Sequence, residues 1–259
     1  MKTAAPSTAS TYSGRNLHGQ VVHELGKRIV GGACPPGEAL PNEEELCREL
    51  GVSRTALRES VKVLAAKGLV ESRPRIGTRV RASESWNLLD PDVLAWRCAT
   101  LPDAQFVLHL NEMREIIEPS SAALAARNRS PAQLRQIEDA HAKMASATTL
   151  EQWVAADLAF HSAILTATNN PLLRPLASMI ATALESLLGL SARKAGDFRL
   201  ALPEHSAVLA AIRAQDAPAA MQRMASLLAD TRARLLKPSP KSTARKPAGE
   251  GAARRATAR

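Results

Sequence analysis

The sequence predicts a mostly α-helical protein in two parts. Three short helices with a small two-stranded ribbon come first, and an all-helical antiparallel bundle follows. Three observations carry this. Aromatic residues are only 3% of the 259-residue chain while Ala and Leu abound, a balance that suits helices and disfavours sandwiches and barrels. Apolar residues recur at helical spacing between recognisable caps and stops. A strand signature appears in LVESRPRIGTRV, around a Pro–Gly turn. Hydrophobic residues at 45% and charged residues at 23% are ordinary for a globular chain and exclude wholesale disorder.

Taken in order, residues 17–31 place Leu17, Val21, Val22, Leu25, Ile29 and Val30 near helical spacing, and Gly31-Gly32 stops the helix. After the turn ACPPGEALP, Asn42 is positioned as an N-cap with Glu45 as its capping-box partner. Glu43, Glu44 and Glu45 suit the positive end of the helix dipole. Leu46 and Leu50 form the buried stripe, and Gly51 takes the left-handed turn. Ser53 caps the third helix, which runs to about Lys67 with Gly68 as its stop.

That third helix is the informative one. Ala56, Leu57, Val61 and Leu64 face the core, while Arg54, Arg58 and Lys62 recur every four residues on the opposite stripe with Thr55 beside them. Two short helices joined by a tight Gly-containing turn, with bases at the start of the second, make a helix-turn-helix. Arginine there reaches guanine O6 and N7 in a bidentate fork that lysine cannot reproduce. The two strands that follow read as a basic wing for the sugar–phosphate backbone, with Lys67, Arg73, Arg75, Arg79 and Arg81 set against Glu71.

Beyond Arg81 the chain turns Ala- and Leu-rich, with helices near 91–100, 103–128, 131–146, 150–168, 172–192, 199–214 and 217–236. These make a bundle of six or seven helices. The expected organisation is a disordered N-terminus over 1–15, a DNA-binding head over 16–82, an all-helical domain over 83–236 and a basic disordered tail over 237–259. The formal charge of +9 is unevenly spread over these parts: +2, +3, −2 and +6 for 1–15, 16–81, 82–236 and 237–259. A slightly acidic body between basic ends points to a polyanionic partner. No run reaches the roughly 18–20 apolar residues of a membrane helix. The start MKTAAPSTASTYSGR lacks the apolar core of a secretory signal. Cys34, Cys47 and Cys98 form no CxxC pair, which excludes a disulfide framework and a cysteine zinc site. The expectation is a cytoplasmic chain with no membrane partner.

Within the bundle, Asp157 and His161 lie at i, i+4 and His205 stands on a later helix. A carboxylate with two imidazoles inside a bundle is a transition-metal arrangement, though a hydrogen-bonded buried histidine gives the same pattern. Arg114 has Glu118 at i+4, a surface pair of order 0.5 kcal/mol by spacing alone.

The run LPNEEELCRELGVSRTALRESVKVLAAKGLVESRPRIGTRV, residues 40–80, resembles the GntR winged-helix regulators. NEMREIIEPSSAALAAR, DLAFHSAILTATNNPLL and EHSAVLAAIRAQDAPAAMQRM resemble the helical FCD ligand domain of the FadR-like branch. The resemblance implies base contacts by Arg54 and Arg58, and it matches the wing glycine and threonine to Gly77 and Thr78. Glu44 stands where the family often has a phosphate-contacting arginine. It further implies a divalent transition metal, zinc or similar, held by an Asp and three His. Asp157, His161 and His205 match three of these, and Leu227 occupies the fourth place. Arg114 matches the arginine that pairs with an effector carboxylate, and Asn170, in a matching segment, is the second expected effector contact. GKRIVGGACPPGEALPNEEELC and WNLLDPDVLAW are similar to the sugar-acid regulators of the galactonate-operon type, which implies a sugar-acid or hydroxy-acid effector.

The expected function is a homodimeric, operator-binding repressor released by a small carboxylate, and not an enzyme. One rival is a non-specific basic DNA-binding protein, with equal affinity for any duplex and steep salt dependence. The other is a metal-dependent hydrolase, for which no HExxH-like element or other base is present.

Overall fold

The computed structural model describes residues 17–73, 77–100, 104–182 and 198–236. Both tails, Arg75 and the stretch 183–192 of the helix expected over 172–192 lie outside the described residues.

The head opens with α1 (Leu17–Val30), whose Val21, Val22, Leu25, Ile29 and Val30 are buried. In α2 (Glu43–Leu50) both halves of the Asn42–Glu45 capping box form, and Gly51 at φ 67° ends the helix in the left-handed region. Ser53 accepts from Ala56 N to start α3 (Arg54–Ala66), which buries Leu57 and Leu64 and leaves Ala56 and Val61 half-buried. Strands β1 (Val70–Arg73) and β2 (Gly77–Val80) pair antiparallel with Val70 opposite Val80. Those two valines seal the wing onto the core while Glu71 and Arg79 share its outer face.

Helix α4 (Pro91–Thr100) serves both parts of the molecule. Its Val93 and Trp96 complete the core of the head, although composition alone groups this segment with the bundle. A Cβ on Gly26 of α1 would fall 2.2 Å from the Trp96 ring, so only glycine admits that indole, and Trp96 Nε1 donates to His23 Nδ1 at 3.0 Å. Its Leu94 packs with Leu110 and Met179 of the bundle.

The bundle comprises α5 (Ala104–Asn128), α6 (Pro131–Ser146), α7 (Leu150–Ala167), α8 (described over 176–182), α9 (Leu202–Arg213) and α10 (Ala217–Leu236). Trp153, Phe160, Ile164, Ile137, Met144, Val208, Ile212, Met224 and Leu228 fill its core. Two helices start later than their periodicity suggests. Residues 171–175 are turns, because Asn170 Oδ1 accepts from Leu172 N and its carbonyl from Leu173 N. Phe198–Ala201 is a 3₁₀ turn leading into α9, whose first turn accommodates Pro203. Among the described residues no helix is long and apolar enough to cross a membrane.

Candidate DNA interface and effector site

On the head, Arg54, Thr55, Arg58 and Lys62 are all exposed along one side of α3, opposite buried Leu57 and Leu64. Arg54 makes no ion pair among the described residues. Arg58 Nε donates to Glu43 Oε2 at 3.0 Å, a tie from α2 that leaves the Nη edge of the fork for a base. Lys62 Nζ bonds Glu59 Oε1 at 2.8 Å. Gly77 is exposed at the start of β2, and the Thr78 hydroxyl lies 3.1 Å from Ser72 Oγ across the ribbon. Glu44, in the place of a family phosphate contact, pairs with Arg48 at 3.6 Å.

One member of the basic group is corrected. Lys67 is not a surface charge: it is 6% exposed, and its Nζ reaches both Asp90 oxygens at 2.8 Å and Asp92 Oδ2 at 2.9 Å. It joins the end of α3 to the start of α4, where Asp90 Oδ1 also accepts from Asp92 N and Val93 N. Two carboxylates face one ammonium, and the positive end of the α4 dipole offsets part of the remaining negative charge. Burial pulls the Lys67 ammonium down, but its bonds to Asp90 and Asp92 outweigh this and hold it above the ordinary lysine value.

The second site is inside the bundle. Asp157 and His161 sit one turn apart on α7, and α9 brings His205 beside them. Asp157, His161 and His205 are all buried, and one ligand atom from each lies within 4.8 Å of the other two. His205 Nδ1 lies 2.6 Å from the Ala201 carbonyl. A carbonyl only accepts, so Nδ1 carries a hydrogen and Nε2 is the nitrogen that faces Asp157. That Nε2 lies 2.9 Å from Asp157 Oδ1, yet the two are not aligned as a hydrogen bond. An imidazole nitrogen and a carboxylate oxygen so close need a proton or a cation between them. Phe160 and Trp153 pack edge-on against the His205 ring and keep the cluster dry.

From α5, Arg114 Nε donates to Glu118 Oε1 at 2.5 Å, and Glu118 Oε2 contacts His161 Nδ1. This corrects the surface pairing suggested by spacing, since Arg114 and Glu118 are each 2% exposed. Burial pushes the Glu118 carboxyl up, but Arg114 and His161 pull it down to about 2. Asp157 is likewise held below its ordinary value, the cost of burial being outweighed by His161, His205 and Arg114. Glu118 thus links the arginine to the histidine cluster, in the manner of the outer carboxylates that orient metal-binding imidazoles. Its sequence signal is an acid one turn from Arg114, in a stretch that also holds Glu112 and Glu115.

Two further positions named by the resemblance are Asn170 and Leu227. Asn170 lies past the end of α7, and its side chain closes the following turn by accepting from Leu172 N. Leu227 is buried in the hydrophobic core, 2% exposed, and supplies no ligand atom.

The profile of the bacterial regulatory proteins of the gntR family matches residues 17–80, and that of the FCD domain matches 109–230. The HTH-type transcriptional regulator YieP of Escherichia coli (strain K12) is 36% identical over 217 residues, 83% of this chain and 93% of that protein. The chain belongs to the GntR family, in the branch that carries an FCD domain. The galactonate operon transcriptional repressor of the same organism is 35% identical over 222 residues, 85% of this chain and 97% of that one. A solved structure of Lar, which controls the agr system of Listeria monocytogenes, shares the fold with a TM-score of 0.62 at 20% identity, over 85% of this chain and 97% of that one. This GntR-family regulator is therefore a DNA-binding transcription factor with a small-molecule effector domain, and not an enzyme. Its buried Asp–His–His cluster has a donor set able to coordinate a metal.

Proposed function

We propose that the protein is a homodimeric, cytoplasmic repressor of sugar-acid or hydroxy-acid catabolism, released from its operator by a small carboxylate bound in the bundle. The observation that carries this reading is the buried chain Arg114–Glu118–His161–Asp157–His205, which sets a guanidinium beside a metal-type donor set. Kinship with a galactonate operon repressor supports the sugar-acid class. Asp157, His161 and His205 would hold a divalent transition metal such as zinc. The misaligned His205–Asp157 approach and the unpartnered Asp157 Oδ2 fit that role. The bound ion would act as a Lewis acid for effector oxygens, and with Leu227 in the fourth place three protein ligands leave positions for them. Arg114 takes the carboxylate through the guanidinium edge that Glu118 does not use.

On DNA, Arg54 and Arg58 read base edges from the start of α3, while Thr55, Lys62, Arg75, Gly77 and Thr78 set the register on the backbone. The test is a competitor titration against DNA upstream of the regulator's own gene. Arg54→Ala or Arg58→Ala costs about 1–3 kcal/mol there and blurs base preference, while binding to random duplex changes little. Equal affinity of the wild type for both duplexes refutes operator recognition in favour of non-specific binding. Tighter binding on addition of the acid makes the protein an activator by effector instead.

A further inference from the structure

The inward stripe of α5 carries a third polar residue that the reading above leaves unused. Asn111 is 0% exposed and sits one turn before Arg114, on the same side of the helix. Its amide orientation is determined by its surroundings. Nδ2 donates to Glu115 Oε1 at 2.6 Å, and the flipped amide would set an oxygen against that carboxylate. Oδ1 is therefore an acceptor, and it is buried with no hydrogen-bond partner. Glu115 is itself anchored, its Oε2 accepting from Arg232 Nη1 of α10 at 3.1 Å. The amide is thus held from one side by a fixed carboxylate, with its carbonyl turned to a place where the protein supplies no donor. A buried acceptor left in that state is destabilising, and residues kept at such a cost are commonly those that meet a ligand.

The position of Asn111 gives the ligand a length. Along α5 the order is Asn111, Arg114, Glu118, and Glu118 touches His161 at the edge of the Asp157–His161–His205 cluster. At 1.5 Å per residue Asn111 lies about 4.5 Å along the axis from Arg114, on the side away from the cluster, and about 10 Å from Glu118. An effector whose carboxylate end is held at Arg114 and the histidine cluster must extend past Arg114 to reach it. Lactate and glycolate end too soon, whereas a six-carbon aldonate carries hydroxyl donors along its whole length. Alkanoates have the length but no donor.

We propose that Asn111 is a specificity-determining residue, whose carbonyl accepts a distal hydroxyl of the effector and so selects longer polyhydroxy acids over short hydroxy acids. This rests on the bundle being the effector site. The site then discriminates in the strong direction, because an acid lacking the hydroxyl leaves the buried carbonyl unpaired.

The experiment is calorimetric titration of the zinc-loaded full-length protein with galactonate, gluconate, lactate and hexanoate, in wild type and Asn111→Leu. In the wild type at least one aldonate binds tenfold or more tighter than lactate and hexanoate. Asn111→Leu loses at least tenfold for that aldonate and leaves lactate unchanged, and without acid it melts no lower than wild type. Asn111→Ala takes its place if the leucine variant does not fold. An aldonate-to-lactate ratio that is the same in wild type and variant, or near one in the wild type, overturns the role of Asn111. Wild-type protein that binds none of the four acids overturns the effector reading beneath it instead.

Discussion

Replacing Glu118 by glutamine keeps the shape of the side chain and removes its charge, which isolates the electrostatic part of the buried network. Arg114 and Glu118 are each 2% exposed and meet at 2.5 Å, so neither charge is relieved by water. Removing one member of a buried pair costs about 3–5 kcal/mol, because the other is left buried and uncompensated. Asp157 still interacts with the guanidinium, which places Glu118→Gln at the lower end, about 3 kcal/mol. For a domain of this size each kcal/mol moves the melting point about 2–4 °C, so the midpoint falls by roughly 10 °C. The double replacement Arg114→Met with Glu118→Leu removes both charges and refills the volume, so it recovers part of that loss, while His161 and Asp157 still lose a partner. Thermal and urea unfolding followed by circular dichroism, with a chelator present so that no metal contributes, measures all three proteins. A single variant that loses less than about 1 kcal/mol, or a double variant as unstable as the single, refutes the view that this pair is desolvated and mutually compensated.

Three further outcomes follow from the same physics. An incoming carboxylate and a divalent cation carry opposite charges into one buried site, so each favours the other. Zinc tightens binding of the acid at least tenfold, about 1.4 kcal/mol of coupling, and equal affinity with and without chelator contradicts this. Gly26→Ala drives a methyl into Trp96 and costs about 1–3 kcal/mol by overpacking, read as a lower unfolding midpoint of the head. Lys67, held above its ordinary value by Asp90 and Asp92, stabilises fully below about pH 10.4 and loses that contribution as pH rises through its folded value. In Asp90→Asn with Asp92→Asn only the burial remains and the slope reverses, so urea midpoints of the two proteins converge in alkaline buffer.

What local chemistry governs was legible in the residues themselves. Asn42 with Glu45, Ser53 and Gly51 specify where α2 and α3 begin and end, because caps act within one turn. The exposed stripe of Arg54, Arg58 and Lys62 follows from helical periodicity. The i, i+4 spacing of Asp157 and His161 puts them on one face of α7. Burial and partners across the chain are another matter. Lys67 read as one more wing charge until Asp90 and Asp92 came to it from over twenty residues away. Glu118 read as a surface partner until α7 placed His161 against it. Asn170 lies in a matching segment, and in the fold its side chain closes the turn after α7.

The sequence by itself determined the elements and the kinds of side chain available, since propensity, capping and amphipathic period act over a few residues. Only the tertiary structure decided which charges lose their water. Desolvation depends on every neighbour packed around a group, and it turns the same arginine or lysine from a solvated ornament of the surface into a paired, functional interior residue.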